Sequence, residues 1–208
     1  MGLNVLGDYT KQNIIKDKTA VEAGYVNNKD DSGGETNHGI TAKLAAYYEK
    51  WLRNQFQWDG TMRNLSVEMA YWVYDTEFWA KIRGDELHQR HPLIADKVFD
   101  VAINCGSTVA ITHLQEILTA NNNRGKLYPD LKPDGAIGKL TFSALDSYIS
   151  IRKTEGIQRL LCALLAEQGH YYLDLVKRRE KDEEFYYGWT GRVARDMGHY
   201  AKLIGIAI

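Results

Sequence analysis

The sequence is short of almost everything that would tie it to a specialised partner. Its formal charge is -1 at pH 7, so there is no electrostatic case for nucleic acid, whose phosphates select basic surfaces. No apolar run approaches the ~18–20 residues required to cross a bilayer, and no stable membrane insertion is expected. The opening MGLNVLGDYTKQNIIK lacks both the basic start and the apolar stretch of a signal peptide, so the chain is expected to stay in the cytoplasm where it is made. Only two cysteines occur, Cys105 and Cys162, each in apolar helical surroundings. Buried free thiols are expected of them, with a disulfide the less favoured alternative. His88 and His91 stand close together, but no cysteine or carboxylate cluster completes a ligand set; they read as a solvated pair, and no metal or other cofactor is expected. Internal repeats, low-complexity tracts and strand-like alternation are also missing.

What remains is mostly helical pattern. With 208 residues and 44% hydrophobic side chains, the chain can bury a sizeable core as one domain or two small ones. From Asp8 to Glu22, the apolar residues Ile14, Ile15, Ala20 and Val21 fall near helical spacing, which sets Glu22 beside the buried stripe. Asn27 to His38 is dense in turn-forming residues, and a short hairpin fits there. Thr41 can cap a helix bearing Leu44, Tyr48, Trp51 and Leu52, and Ser66 opens another with Val67, Ala70, Tyr71, Tyr74 and Phe78 on one side. Pro92 suits the first turn of a helix that carries Ile94, Val98, Val101, Ala102 and Cys105 and ends at Gly106. Ser107 begins the next, and the polar connection Asn121 to Pro133 that follows it is the best candidate boundary. Lys139 to Ile149 reads as a short helix, and Ile157 to Val176, the most apolar, as a central one. The aromatic, glycine-punctuated FYYGWTGR at 185–192 leads into a last helix. The fold class is therefore mostly α, with any sheet confined to the loop after Glu22.

Chemistry concentrates between Val21 and Thr41, VEAGYVNNKDDSGGETNHGIT. Glu22 closes the first helical segment, and Gly24 follows where positive φ must be tolerated. Asp31 and Thr36 come later in the same loop, so a carboxylic acid, a second carboxylate and a hydroxyl can face one another. Glycosidic bond hydrolysis uses such a set: one protonated carboxyl donates to the leaving oxygen, and one ionised group activates water or stabilises the sugar cation. Each residue has a plainer reading. Glu22 alone is a helix-end carboxylate in solvent, Asp31 belongs to an ordinary turn with Asp30 as its nearest rival, and Thr36 ties the loop to the next helix.

The same stretch resembles the signature of glycoside hydrolase family 108, the phage and bacterial N-acetylmuramidases, which runs Glu-Gly-Gly-Tyr and then Asn-Asp-Pro-x-Asp-x-Gly-Gly-x-Thr-x-x-Gly-Ile-Thr. Glu22, Gly24, Tyr25, Asn27, Asp31, Gly33, Gly34, Thr36, Gly39, Ile40 and Thr41 stand at the matching places. Ala23 replaces the first glycine, and Asn28 and Lys29 replace Asp-Pro. The resemblance continues through GDEL at Gly84 to Leu87, VFDVAINCG at Val98 to Gly106, LQEIL at Leu114 to Leu118 and DGAIG at Asp134 to Gly138, covering most of the chain. It implies an α+β lysozyme-like fold of two helical lobes, with a catalytic region at residues 1-97 and a helical peptidoglycan-binding region at 98-208 packed as one unit. It also implies hydrolysis of the β-1,4 bond between N-acetylmuramic acid and N-acetylglucosamine in peptidoglycan glycan strands, with Glu22 as general acid and Asp31 and Thr36 holding the water. A phage endolysin of this kind waits in the host cytoplasm until a holin opens the membrane, then acts on the cell wall; a monomer is expected.

The candidate sugar contacts are Tyr25 and Asn27 of the motif, Tyr74 and Asp75 on one helix with Trp72 and Trp79 nearby, and Asn104 one turn after Asp100. Sugar faces stack on aromatic rings, and carboxylates accept from hydroxyls. Against this stand core packing, the preferred reading for Tyr74, and contact of Asp100 and Asn104 with the next helix. A lytic transglycosylase, which needs only one Glu, and a non-catalytic wall-binding module are the rival functions.

Overall fold

The computed structural model describes residues 9–21, 24–27 and 34–204. They fall into two compact units, within Gly7–Lys81 and within Ile82–Ile208. The division expected at 97/98 lies inside a helix, and the polar connection at 121–133 lies within the second unit. Among the described residues, no helix is long and apolar enough to cross a membrane.

In the first unit, α1 (Lys11–Val21) buries Ile14 and Ile15. A three-stranded antiparallel sheet follows, ordered β1 (Tyr25–Asn27), β2 (Glu35–Asn37) and β3 (Ile40–Thr41). β2 and β3 are joined by His38 and Gly39, with φ of 49° and 74°. Two central residues with positive φ make the hairpin turn whose twist matches that of its strands, and glycine adopts this conformation without penalty. Thr41 caps α2 (Ala42–Tyr47), its hydroxyl accepting from the Leu44 N–H at 3.2 Å, and α3 (Glu49–Phe56) comes next. Ser66 caps α4 (Val67–Val73) in the same way, accepting from the Met69 N–H at 3.3 Å. Both caps stand where the sequence puts them. At its end α4 widens into a π-helical turn (Tyr74–Trp79), where the Ala80 N–H reaches back five residues to the Asp75 carbonyl at 2.8 Å. Ile40, Leu52, Leu65 and Val73 are buried, each contributing roughly 1.5–3 kcal/mol over its exposed state. Val67, expected on the apolar side, is exposed at the helix start.

The second unit consists of α5 (Gly84–Arg90), α6 (Pro92–Cys105), α7 (Ser107–Ala120), α8 (Lys139–Arg178) and α9 (Glu183–Ile204). Pro92 starts α6 and Gly106 ends it, as read from sequence. Residues 93–102 of α6 are all buried, as befits a helix apolar nearly all round, and Leu114, Leu118, Leu160, Leu161 and Leu164 pack in the same core. The two helices expected at 139–149 and 157–176 form one element that breaks at Lys153 (φ 52°, ψ -143°), and the Tyr148 hydroxyl donates across the break to the Gly156 carbonyl at 2.8 Å. FYYGWTGR, expected to lead into the last helix, is itself helical within α9, where Trp189 packs against Tyr172 and Phe185 at 5.2 and 6.1 Å. Both cysteines are free, but only Cys105 is part-buried; Cys162 is exposed, against the expectation for both. Burial pushes the Cys105 thiol up to about 12.

Buried inside this unit is a charged cluster. Lys97 is fully enclosed, and its ammonium donates to Asp100 Oδ2 (2.9 Å), Gln168 Oε1 (2.7 Å) and Asp196 Oδ2 (2.7 Å), three donors meeting three acceptors. The Gln168 amide donates onward to Asp100 Oδ2 and the Tyr172 hydroxyl, both at 3.1 Å, and the Tyr200 hydroxyl donates to Asp96 at 2.7 Å. Burial, with Asp96 beside it, holds the Tyr200 phenol well above its ordinary value.

Candidate active site

Strand alternation sorts the motif residues. In the register Tyr25↔Asn37, Val26↔Thr36 and Asn27↔Glu35, residues directly opposite share a face. Tyr25, Asn27, Glu35 and Asn37 therefore project to one side, and Val26 and Thr36 to the other, where Thr36 also faces Thr41 across β3. Val26 is 56% exposed and Thr36 half-buried, so this second face is within reach of water. The Thr41 hydroxyl is engaged in capping α2. Thr36 thus offers a hydroxyl on a rigid strand, able to hold a water molecule or a sugar hydroxyl.

On the other face, the Tyr25 hydroxyl donates to Glu35 Oε1 at 2.5 Å, and the Arg63 guanidinium lies 3.9 Å from the centre of the Tyr25 ring. A cation over a phenol that itself hydrogen-bonds a carboxylate fixes the ring plane at the start of β1. Asn37, only 4% exposed, anchors the sheet: its amide donates to the Met62 and Leu65 carbonyls at 2.8 and 3.2 Å, with the Arg63 carbonyl at 3.4 Å. On the helical side, Asp75 holds Lys11 of α1 at 2.8 Å, tying the helix that precedes Glu22 to the π-helical turn.

The candidate residues therefore separate. Glu22 and Asp31, with Asp30, lie outside the described residues. Tyr25, Asn27 and Thr36 all lie on the sheet, but Tyr25 and Asn27 are on one face and Thr36 is on the other, with Asn27 exposed. Asp75 is engaged with α1. Tyr74 and Trp79 are 1% exposed, so packing, the preferred reading for Tyr74, describes them, and neither offers a ring to a sugar. Trp72 instead stacks on Trp51, ring centres 3.5 Å apart and nearly parallel. Asn104 lies in the second unit and donates to the Asp100 carbonyl at 2.7 Å; Asp100 itself belongs to the Lys97 cluster, not to an open cleft. Among the described residues, no group of three or more His, Cys, Asp or Glu could hold a metal.

Three residues escaped the sequence reading. Glu35 occupies a variable position of the motif, and only the hairpin register places it beside Tyr25. Asn37 acts across 25 positions of chain and Arg63 across 38, distances over which no local pattern speaks.

Comparison with known proteins adds to this geometry. A family model described as glycosyl hydrolase 108 matches residues 15–106, the stretch running from α1 through the sheet to the end of α6. A second, described as predicted peptidoglycan domain, matches residues 109–194. The solved structure of Brucella abortus SagA shares this fold with a TM-score of 0.64 at 24% identity, covering 95% of this chain and 96% of that one. No curated protein matches the chain.

Proposed function

We propose, from the premise that this chain is a peptidoglycan-degrading glycoside hydrolase of the glycosyl hydrolase 108 family through residues 15–106, that it cuts the β-1,4 bond between N-acetylmuramic acid and N-acetylglucosamine. Glu22, directly after α1, is the general acid that protonates the leaving oxygen. Asp31, in the connection between β1 and β2, takes a proton from the attacking water, and Thr36 helps to hold that water. A water standing between two carboxyls requires about 6.5–9.5 Å between them and leads to inversion at the anomeric carbon. Tyr25 and Asn27, on the neighbouring strand, contact the sugar. Residues 1–97 carry the chemistry in this reading, and 98–208 hold the wall.

One observation supports the assignment most directly. The family match spans Glu22, Asp31 and the sheet that Asn37 steadies after Asp31, and it includes Asp75, which holds Lys11 of α1 just ahead of the matched stretch. We further propose that the chain serves as a monomeric phage endolysin, held in the host cytoplasm until a holin gives it access to the wall. Turbidity clearing of outer-membrane-permeabilised Gram-negative cells tests the catalytic reading. Glu22→Gln keeps the shape but not the donatable proton, and lysis is expected to fall at least roughly 10²-fold with an unchanged circular dichroism spectrum. Comparable clearing by the variant would remove Glu22 from the mechanism. Product mass spectrometry should show reducing muramic ends; anhydro-muramyl ends would mean a transglycosylase.

A further inference from the structure

The second unit carries a cavity of about 370 Å³ between α5 and the first three turns of α8. Its inner wall is the buried ring of Phe142, with two guanidiniums over it, Arg83 at 4.8 Å and Arg90 at 4.2 Å from the ring centre. Each is held by a carboxylate that also lines the cavity. Arg83 donates to Glu86 through Nε (2.8 Å) and Nη2 (2.7 Å), and Arg90 to Asp146 through Nε (2.7 Å) and Nη2 (3.1 Å). A guanidinium has five N–H donors; Arg90 also donates through Nη1 to the Glu86 carbonyl at 2.9 Å, and both arginines retain donors after these bonds. Lys139, at the first position of α8, adds a third cation and has no ion-pair partner among the described residues. With three cations against the carboxylates of Glu86 and Asp146, the cavity carries one excess positive charge and presents both signs. The Ser143 side chain also lines it.

We propose that this cavity binds the free carboxylate end of a peptidoglycan stem peptide, the carboxylate at Lys139 and the arginine forks and the peptide's amine toward Glu86 and Asp146. The volume lies at the lower end of ligand pockets and suits one or two amino-acid residues. Charge complementarity selects a zwitterionic peptide end over the uncharged hydroxyls and acetamides of the glycan. The inference rests on the reading of peptidoglycan as substrate, but it concerns the peptide and not the scissile bond. The competing account is that the two arginine–carboxylate pairs only clamp α5 to α8.

Calorimetric titration of the full chain with a synthetic stem tetrapeptide ending in a free carboxylate, with its C-terminal carboxamide and with inorganic phosphate decides between them. The acid is expected to bind at least about tenfold more tightly than the carboxamide, and Lys139→Gln to lower its affinity at least about fivefold. Lys139 is exposed, so the variant should fold; Ser143→Trp, which fills the cavity, should abolish binding in the same way. On peptide-bearing peptidoglycan, KM should rise in both variants while turnover of peptide-free glycan stays unchanged. Equal binding of acid and carboxamide, phosphate binding as tight as the peptide, or full binding by both variants overturns the proposal. Failure of the wild type to cut any glycan would instead overturn the proposed function, because the peptide titration reads independently of cleavage.

Discussion

The two compact units use their polar side chains in opposite ways. In the first, no described helix exceeds the 11 residues of α1, a length at which an isolated helix is marginal in water. Its order comes from side chains that close the ends of elements onto nearby backbone: Thr41 and Ser66 at helix starts, Asn37 on the carbonyls of 62–65, and the Trp58 indole N–H on the Thr61 carbonyl at 3.0 Å. In the second, α8 runs for 40 residues and α9 for 22, and the polar groups meet one another inside the core around Lys97. Many small terminal bonds position a strand or a helix end closely, which is what a site laid on a short sheet requires. A buried ion cluster does little for net stability but punishes any misalignment of α6, α8 and α9.

Perturbing each device should sharpen the contrast. Lys97→Ala takes the cation away from the buried Asp100 and from Asp196, and a loss of about 3–5 kcal/mol is expected in urea denaturation. Hydrogen exchange should show the lost protection in α6, α8 and α9; an equal loss in the sheet would break the comparison. Asn37→Ala removes a buried donor from the Met62 and Leu65 carbonyls and should cost about 1–3 kcal/mol, with a larger proportional fall in turnover than in stability. If turnover survives at wild-type level, the sheet is not the element that places the site. Thr41→Ala and Ser66→Ala each remove one cap bond and should lower the denaturation midpoint by the equivalent of about 1 kcal/mol.

The smallest effect expected is one of pH and is confined to the second unit. Burial holds His91 below its ordinary value; burial does the same to His113, with Glu167 and Glu116 pulling the other way. As pH falls below about 6.5 the unfolded chain takes up protons that the folded one resists, so stability is full above that range and declines until the folded imidazoles also titrate. His113→Gln should flatten the dependence of Tm on pH between about 7.5 and 5.5. An unchanged slope would assign the acid sensitivity elsewhere.

Much of this fold could be read from local chemistry. Thr41, Ser66, Pro92 and Gly106 mark boundaries through bonds or torsions confined to a few residues, and periodicity located α1, α6, α7 and both halves of α8. Contacts that reach across the chain were silent: Arg63 over Tyr25, Asn37 on 62–65, and Lys97 with Asp196, 99 positions apart. The glycines of 185–192 punctuate the pattern ahead of the last helix, but packing of Trp189 on Tyr172 and Phe185 outweighs their weak helix propensity and the segment is helical. Of the candidate site, the hairpin was foreseen because turn residues declare themselves, and Tyr25, Asn27 and Thr36 stand on it. Asp75 meets Lys11 across 64 positions, which no local pattern shows, whereas the bond from Asn104 to Asp100 spans the single helical turn that their spacing implies.

The break at Lys153 has a consequence for how this chain can change length. In an unbroken helix each inserted residue turns everything after it by about 100°. An insertion near Asp146 would swing Tyr148 out of its buried position, and one near Cys162 would carry Leu164 and Leu165 off the core. At Lys153 the helical phase is already interrupted, so the stripe of Phe142, Leu145 and Tyr148 and that of Leu160, Leu161 and Leu164 are set independently. A residue gained or lost at that joint would disturb the Tyr148–Gly156 bond that spans it but leave the helical phase within each stripe intact, which makes it the place where a change in the length of α8 re-addresses least of its core.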